Sequence, residues 1–317
     1  MLYPILAIVA GLALLVWSAD RFVIGAAATA RNFGMSPMLI GLTIVSFGTS
    51  APEILVSYMA SINDAGDLAV GNALGSNIAN IALVLGITAL IAPLPVKSGV
   101  LRKEIPLLLA VTVLGGVLLF DLALTMTDSV ILLLSLVLCL YLFNRFQRNV
   151  SPEEASSEEE ELPELKTASA IFWLVLGLII LAGSSRLLVW GATEVARALE
   201  VSELVIGLTI VAIGTSLPEL AASVASALKN HHDLAIGNVV GSNIFNLLAV
   251  MAVPGIISPL TIDSIVLLRD YGVMLALTLA LIAFAMLQKP ASISRVEGGL
   301  LAGVYAGYLV LLYNMTV

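Results

Sequence analysis

Apolar residues run along this chain in long stretches separated by short polar punctuation. Ten stretches are long enough to cross a membrane: about 2–28, 37–62, 69–92, 101–121, 127–146, 168–195, 203–228, 235–259, 264–287 and 296–315. A hydrocarbon layer of about 30 Å takes about 20 helical residues. The stretches are continuously apolar and lack the strict alternation of a membrane β-strand, so helices are predicted. The first span has no basic leader, so no cleavable signal peptide is expected.

Composition supports this reading. Sixty per cent of the 317 residues are hydrophobic and 11% are charged, against about a quarter charged in a soluble protein. So few charges cannot cover the surface of a soluble domain of this size. A net charge of −8 and a single cysteine, Cys139, count against nucleic-acid binding and a disulfide framework. Cys139 is expected to be a small packing residue.

The charges that remain set topology. With the N-terminus outside, the inside loops hold ten basic residues, among them Arg31, Lys97, Arg102, Lys103, Lys166 and Lys229, and the outside loops hold Arg197 and Arg269. This bias places both termini outside. Arg21 and Arg186, near the ends of long spans, are expected to snorkel or to pair with acids. Segment 147–167 carries seven acids and two prolines and reads as a solvated hinge between residues 1–146 and 168–317. Without those seven acids the chain has 14 basic and 15 acidic residues, so its acidity is chiefly that of the linker.

Shifting the chain by 166 residues aligns its halves without a gap. Gly41-Leu-Thr-Ile-Val-Ser-Phe-Gly-Thr-Ser-Ala-Pro-Glu53 matches Gly207-Leu-Thr-Ile-Val-Ala-Ile-Gly-Thr-Ser-Leu-Pro-Glu219. Asp67-Leu-Ala-Val-Gly-Asn-Ala-Leu-Gly-Ser-Asn-Ile-Ala-Asn80 matches Asp233-Leu-Ala-Ile-Gly-Asn-Val-Val-Gly-Ser-Asn-Ile-Phe-Asn246. Over 41–86 and 207–252, 22 of 46 positions are identical. Five spans per half is an odd number, so the second copy enters the membrane from the opposite side. The predicted fold is an all-α integral membrane protein with ten transmembrane helices in two inverted five-helix repeats, the architecture of secondary transporters.

Within the repeats, Glu53 and Glu219 stand out, because a carboxylate inside a membrane is costly and usually functional. Pro52 and Pro218 precede them and break helix hydrogen bonding. Broken helices at the midplane would free backbone carbonyls, and Thr49, Ser50 and Glu53 would share a face at i, i+1 and i+4. Thr215, Ser216 and Glu219 repeat the arrangement. Oxygen donors of this kind suit hard ions such as Ca²⁺ and Na⁺. Asn72, Ser76 and Asn80 form an i, i+4, i+8 stripe, repeated by Asn238, Ser242 and Asn246. Facing the Pro-Glu helices, these stripes would complete an oxygen cage. Asn72, Asn77, Asn238 and Asn243 divide evenly between ion contact and interhelical hydrogen bonding. The stripe glycines Gly71, Gly75, Gly237 and Gly241 are expected to be close-packing contacts, and Asp67 and Asp233 helix N-caps. His231 and His232 have no repeat partner and are not expected to bind metal. No nucleophile–base pair, phosphate loop or zinc spacing is present, so an enzyme is not expected.

The doubled blocks Gly-Thr-Ser-x-Pro-Glu and Gly-Asn-x-x-Gly-Ser-Asn-Ile-x-Asn resemble the α-repeats of the Ca²⁺/cation antiporter superfamily, in its prokaryotic sodium/calcium exchanger branch. The proton-coupled calcium exchangers are less similar, since their Gly-Asn-x-x-Glu pattern is absent. The resemblance implies ion ligands at Thr49, Ser50, Glu53, Ser76 and Asn80 and at Thr215, Ser216, Glu219, Ser242 and Asn246. It adds the backbone carbonyls of Ser46 and Ala212. Some members carry Asp at the position of Asn246, which leaves Na⁺ site number and K⁺ dependence open.

The resemblance further implies an antiporter of the plasma membrane, a prokaryotic inner membrane, that exchanges Ca²⁺ for Na⁺ by alternating access and normally extrudes Ca²⁺. Ca²⁺ and Na⁺ are its transported ions. No cofactor and no nucleic acid are implied, the lipid bilayer is its environment, and a monomer suffices. An H⁺- or K⁺-coupled cation antiporter, or a passive cation channel, is the alternative.

Overall fold

The computed structural model describes residues 2–148, 163–200, 210, 212–287 and 289–316. Most of the acidic linker, and positions 201–209 that open the second copy's Gly-Thr-Ser segment, lie outside the described residues.

The described chain is predominantly helical, as its continuous apolar runs predict. The first half holds α1 (Leu2–Phe33), α2 (Pro37–Thr49), α3 (Ala51–Ile62), α4 (Gly66–Ile91), α5 (Ser98–Arg102), α6 (Glu104–Leu118) and α7 (Met126–Arg148). The second holds α8 (Thr167–Ala198), α9 (Ala212–Thr215), α10 (Leu217–Leu228), α11 (His232–Ile257), α12 (Val266–Met286) and α13 (Arg295–Thr316). Among the described residues, seven helices are long and apolar enough to span a membrane, and α2 with α3 forms an eighth, bent span.

Two helices differ from the rest in length. At 32 residues each, α1 and α8 extend about 48 Å, more than a perpendicular crossing needs, so they must tilt. They pack antiparallel through small residues. A Cβ on Gly11 would strike the Leu188 backbone, one on Gly25 the Leu174 backbone, one on Gly177 the Phe22 backbone, and one on Gly191 the Pro4 carbonyl. Gly11 and Gly177 are repeat mates, as are Gly25 and Gly191, so the repeat extends into these helices. Arg21 bridges the seam, 5.4 Å above the ring of Trp173 and 6.0 Å from that of Trp17, a cation–π arrangement. The snorkelling or acid pairing expected for Arg21 is therefore supplemented by this stacking.

The centre belongs to α4 and α11. In their most apolar windows 72% and 78% of residues are buried, against 28% in α1 and in α8, so the first pair is core and the second faces lipid. One apolar cluster joins α4, α6, α7, α11, α12 and α13, and Cys139 packs in it as a free thiol. A smaller separate cluster seats α1 and α8, through residues such as Phe22 and Leu181, against Ile40, Val45, Ala222 and Leu234.

Two short antiparallel ladders stitch the halves together. Leu94–Pro95 pairs with Ser292–Ile293, and Ala123–Leu124 with Leu260–Thr261. Asp67 and Asp233 are not N-caps: Ala65 and His231 occupy those positions and neither makes a side-chain cap bond. Asp233 instead lies in the first turn of α11, buried, with Lys97 at 2.7 Å. Lys97 reaches it from the loop after α4, an approach that local sequence could not reveal.

Candidate ion-binding site

The site is built on the helix breaks. Pro52 and Pro218 lie in the first turns of α3 and α10, where a missing N–H costs nothing. The N-cap residues of these helices, Ser50 (φ −85°, ψ 0°) and Ser216 (φ −90°, ψ 4°), sit alike at the edge of the helical region. The axis of α2 and α3 bends by 41° at this point. Each break therefore starts a new helix whose first turn carries a glutamate, Glu53 or Glu219. The partial positive charge of a helix N-terminus favours a carboxylate there.

Wide turns place other members of the site. π-helical segments run from Gly41 to Val45, from Asn80 to Leu85 and from Asn246 to Val250. The last two begin at the repeat-related asparagines of the stripes. A π turn inserts a residue into the helix and shifts the facing of everything after it, a distortion concentrated at functional sites.

Glu53, Glu219, Thr49, Ser50, Ser46, Ser76, Asn80, Ser216, Ser242 and Asn246 are all buried, and Thr215 is half-buried. Ala212 opens α9, and its side chain lies outside the described residues. Close packing brings the halves together. A Cβ on Gly41 would meet the Leu234 carbonyl at 2.9 Å, and one on Gly241 would meet Ser46 Oγ at 2.5 Å. The packing role expected of the stripe glycines is realised at Gly237 and Gly241, which meet α2, whereas among the described residues a Cβ on Gly71 or Gly75 would meet nothing within 4 Å.

Direct bonds cross the same interface. Thr49 Oγ1 lies 3.4 Å from Ser242 Oγ and donates to Asn238 Oδ1 at 3.2 Å, and Ser50 Oγ donates to Glu219 Oε1 at 3.5 Å. Ligand candidates from both halves therefore share one buried region.

The amides of the stripes divide by position. Asn72 and Asn238 each donate to the backbone carbonyl of their own half's glutamate, at 3.1 Å and 3.3 Å. Asn77 turns to Met274 Sδ and Asn243 to the Val239 carbonyl. Asn80 and Asn246 have buried amide atoms without protein partners. The periodicity placed Asn72 with Asn80, and Asn238 with Asn246, on one helix face, but only the packed structure separates their roles.

Twelve buried side-chain nitrogen or oxygen atoms among the described residues have no hydrogen-bond partner. Seven of the twelve belong to this set: Glu53 Oε2, Glu219 Oε2, Ser216 Oγ and both amide atoms of Asn80 and Asn246. A buried polar atom without a partner costs about 1–3 kcal/mol, so this concentration is strong support for a polar guest. Carboxylate, hydroxyl and amide oxygens fit a hard cation. Among the described residues no group of three or more His, Cys, Asp or Glu is placed to hold a metal.

The comparisons with known proteins agree. The sequence model of the family described as sodium/calcium exchanger protein matches residues 3–145 and 169–314. The chain belongs to this family. It is 49% identical to the putative antiporter CaxA of Alkalimonas amylolytica over 99% of this chain and 100% of the relative. It is 32% identical to the sodium/calcium exchanger MaX1 of Methanosarcina acetivorans over 96% of both chains. Among solved structures it is similar to the sodium-calcium exchanger NCX_Mj soaked with 2.5 mM Na⁺ and 1 mM Sr²⁺, with a TM-score of 0.84, 33% identity and 98% of each chain covered.

The resemblance to the Ca²⁺/cation antiporter superfamily, prokaryotic branch, is thereby borne out. The chain is a membrane transporter of a cation-exchanging family, not an enzyme.

Sequence reasoning missed the four seam glycines, the Ser223 hydroxyl that receives the Asn238 amide at 2.9 Å, and the Lys97–Asp233 pair. The 166-residue offset, carried into the first span, would have found the glycines. Nothing in the sequence signals the ion pair.

Proposed function

We propose that this chain exports Ca²⁺ in exchange for Na⁺ by alternating access, as a multi-pass protein of a prokaryotic inner membrane with both termini outside. Residues 1–146 and 168–317 form the inverted halves, ten spans in all, and 147–167 the cytoplasmic hinge. The observation that carries this reading is the pair Glu53 and Glu219, buried together with an unpartnered oxygen each. Two carboxylates neutralise one Ca²⁺ or share several Na⁺. The hydroxyls of Thr49, Ser50, Thr215, Ser216, Ser76 and Ser242, the amide oxygens of Asn80 and Asn246, and the carbonyls of Ser46 and Ala212 replace hydration. Competition for the same carboxylates then provides coupling.

The glycine seam supports a moving element. α1 and α8 pack chiefly on each other and rest on the remainder through a small apolar cluster. Their contact with the half-helices is unequal, because α1 packs on α10 while α8 scarcely touches α3. In this reading the pair lies at one end of its stroke, closing the site toward one face. Sliding along the seam would exchange which half-helix is covered.

The test is ⁴⁵Ca²⁺ uptake into Na⁺-loaded proteoliposomes. Glu53→Gln and Glu219→Gln are each expected to abolish uptake that the unaltered chain supports. Unchanged uptake in both variants overturns the site. Uptake driven by a pH gradient, or dependent on K⁺, would replace Na⁺ as the sole coupling ion, and flux that persists without any counter-ion would make the protein a channel.

A further inference from the structure

A hydroxyl can present lone pairs to a cation only if its proton is directed elsewhere, so each hydroxyl ligand needs an acceptor behind it. For Thr49 the structure supplies one from the opposite half. Thr49 Oγ1 donates to Asn238 Oδ1 at 3.2 Å, its shortest contact, with the Ser46 carbonyl and Ser242 Oγ each farther at 3.4 Å. Asn238 is 1% exposed, so water does not compete for this bond.

The orientation of the Asn238 amide is itself determined. Its other end meets the Glu219 carbonyl at 3.3 Å and Ser223 Oγ at 2.9 Å. A carbonyl can only accept, so the atom facing it must be the amide nitrogen. Oδ1 is left pointing at Thr49. One side chain thus fixes the backbone of Glu219 in the second half and the proton of Thr49 in the first.

We propose that Asn238 is a positioning residue of the ion site: it orients the Thr49 hydroxyl as a cation ligand and locks that ligand to the backbone of Glu219. This inference rests on reading Thr49 as an ion ligand, and it adds the element that aims it. Partners behind a metal ligand typically change affinity by about 10–100-fold when removed.

The experiment is equilibrium ⁴⁵Ca²⁺ binding to the purified full chain in detergent, which needs no counter-ion. Asn238→Ala is expected to weaken binding about ten-fold, and Thr49→Ala by a similar factor. The double variant should be no weaker than the weaker single one, because the amide acts through the hydroxyl. A double variant whose loss is the product of the single losses overturns the proposal. So does an Asn238→Ala variant that binds like the unaltered chain.

Asn238→Asp keeps an acceptor for Thr49 but cannot donate to the Glu219 carbonyl, so it is expected to weaken binding by less than Thr49→Ala does. An Asn238→Asp variant that binds more weakly than Thr49→Ala overturns the proposal even if Asn238→Ala fails to fold. A chain that binds Ca²⁺ but does not exchange it sinks the exchange reading and leaves this inference standing. Absence of Ca²⁺ binding by the unaltered chain overturns both.

Discussion

In the second half, Asn238 donates both to the Glu219 carbonyl and to Ser223, and accepts from Thr49. In the first half its repeat mate Asn72 donates to the Glu53 carbonyl, but Ser57, the mate of Ser223, turns away and donates to the Val250 carbonyl at 2.9 Å. The approaches to these helices differ as well. Asp233 at the start of α11 is buried against Lys97, whereas Asp67 at the start of α4 is exposed and Asp263 takes the place of Lys97 in the repeat. Repeated ligands therefore sit on unequal supports. An inverted repeat fixes which residues can reach the midplane, while each copy's neighbours decide how firmly they are held.

The largest expected effect ignores this inequality. Loss of transport in Glu53→Gln and in Glu219→Gln should be equally complete, because one buried cation needs both charges. Strongly unequal variants would show that one half alone supplies the essential carboxylate.

Next comes the ion pair. Lys97→Met removes the basic partner of a buried aspartate at the head of α11. Breaking a fully buried pair costs about 3–5 kcal/mol; Lys97 is 37% exposed, which reduces the expected loss to about 2 kcal/mol. Asp67→Asn, on the exposed mate, should change stability by less than about 0.5 kcal/mol. Thermal unfolding of both variants in detergent checks the contrast, and equal shifts would erase it.

The serines give a finer comparison. Ser223→Ala removes one of the contacts that orient Asn238 and should weaken Ca²⁺ binding about three-fold, the effect of losing part of a hydrogen bond worth about 1 kcal/mol. Ser57→Ala should leave affinity unchanged and lower stability by about 1 kcal/mol. Binding isotherms and melting curves on the same two preparations separate the outcomes.

A small effect is also expected at the 2.6 Å pair between Asp20 on α1 and Lys229 after α10. Both side chains are partly exposed, so Lys229→Met should alter stability by less than about 1 kcal/mol. A larger melting shift would show that this contact anchors α1.

Much of this protein is fixed by sequence alone. Continuous apolar runs make helices in a membrane, because every backbone group there must be bonded within its own segment. An offset of 166 residues over five spans predicts inversion. Proline beside glutamate, twice, locates the helix breaks, since the missing N–H acts on its own turn. These are local causes, and local sequence reveals them.

Packing decided the remainder. The i, i+4, i+8 stripe could not say that Asn238 supports the site while Asn246 leaves its amide without a protein partner, because that depends on which helix arrives opposite. The expected N-cap roles of Asp67 and Asp233 failed because both helices begin earlier, and the pairing of Asp233 depends on Lys97 from the other half. The glycines joining α1 to α8 acquire their meaning only when two helices 166 residues apart lie side by side. A side chain's chemistry is written in the chain, but its partner is chosen by the fold.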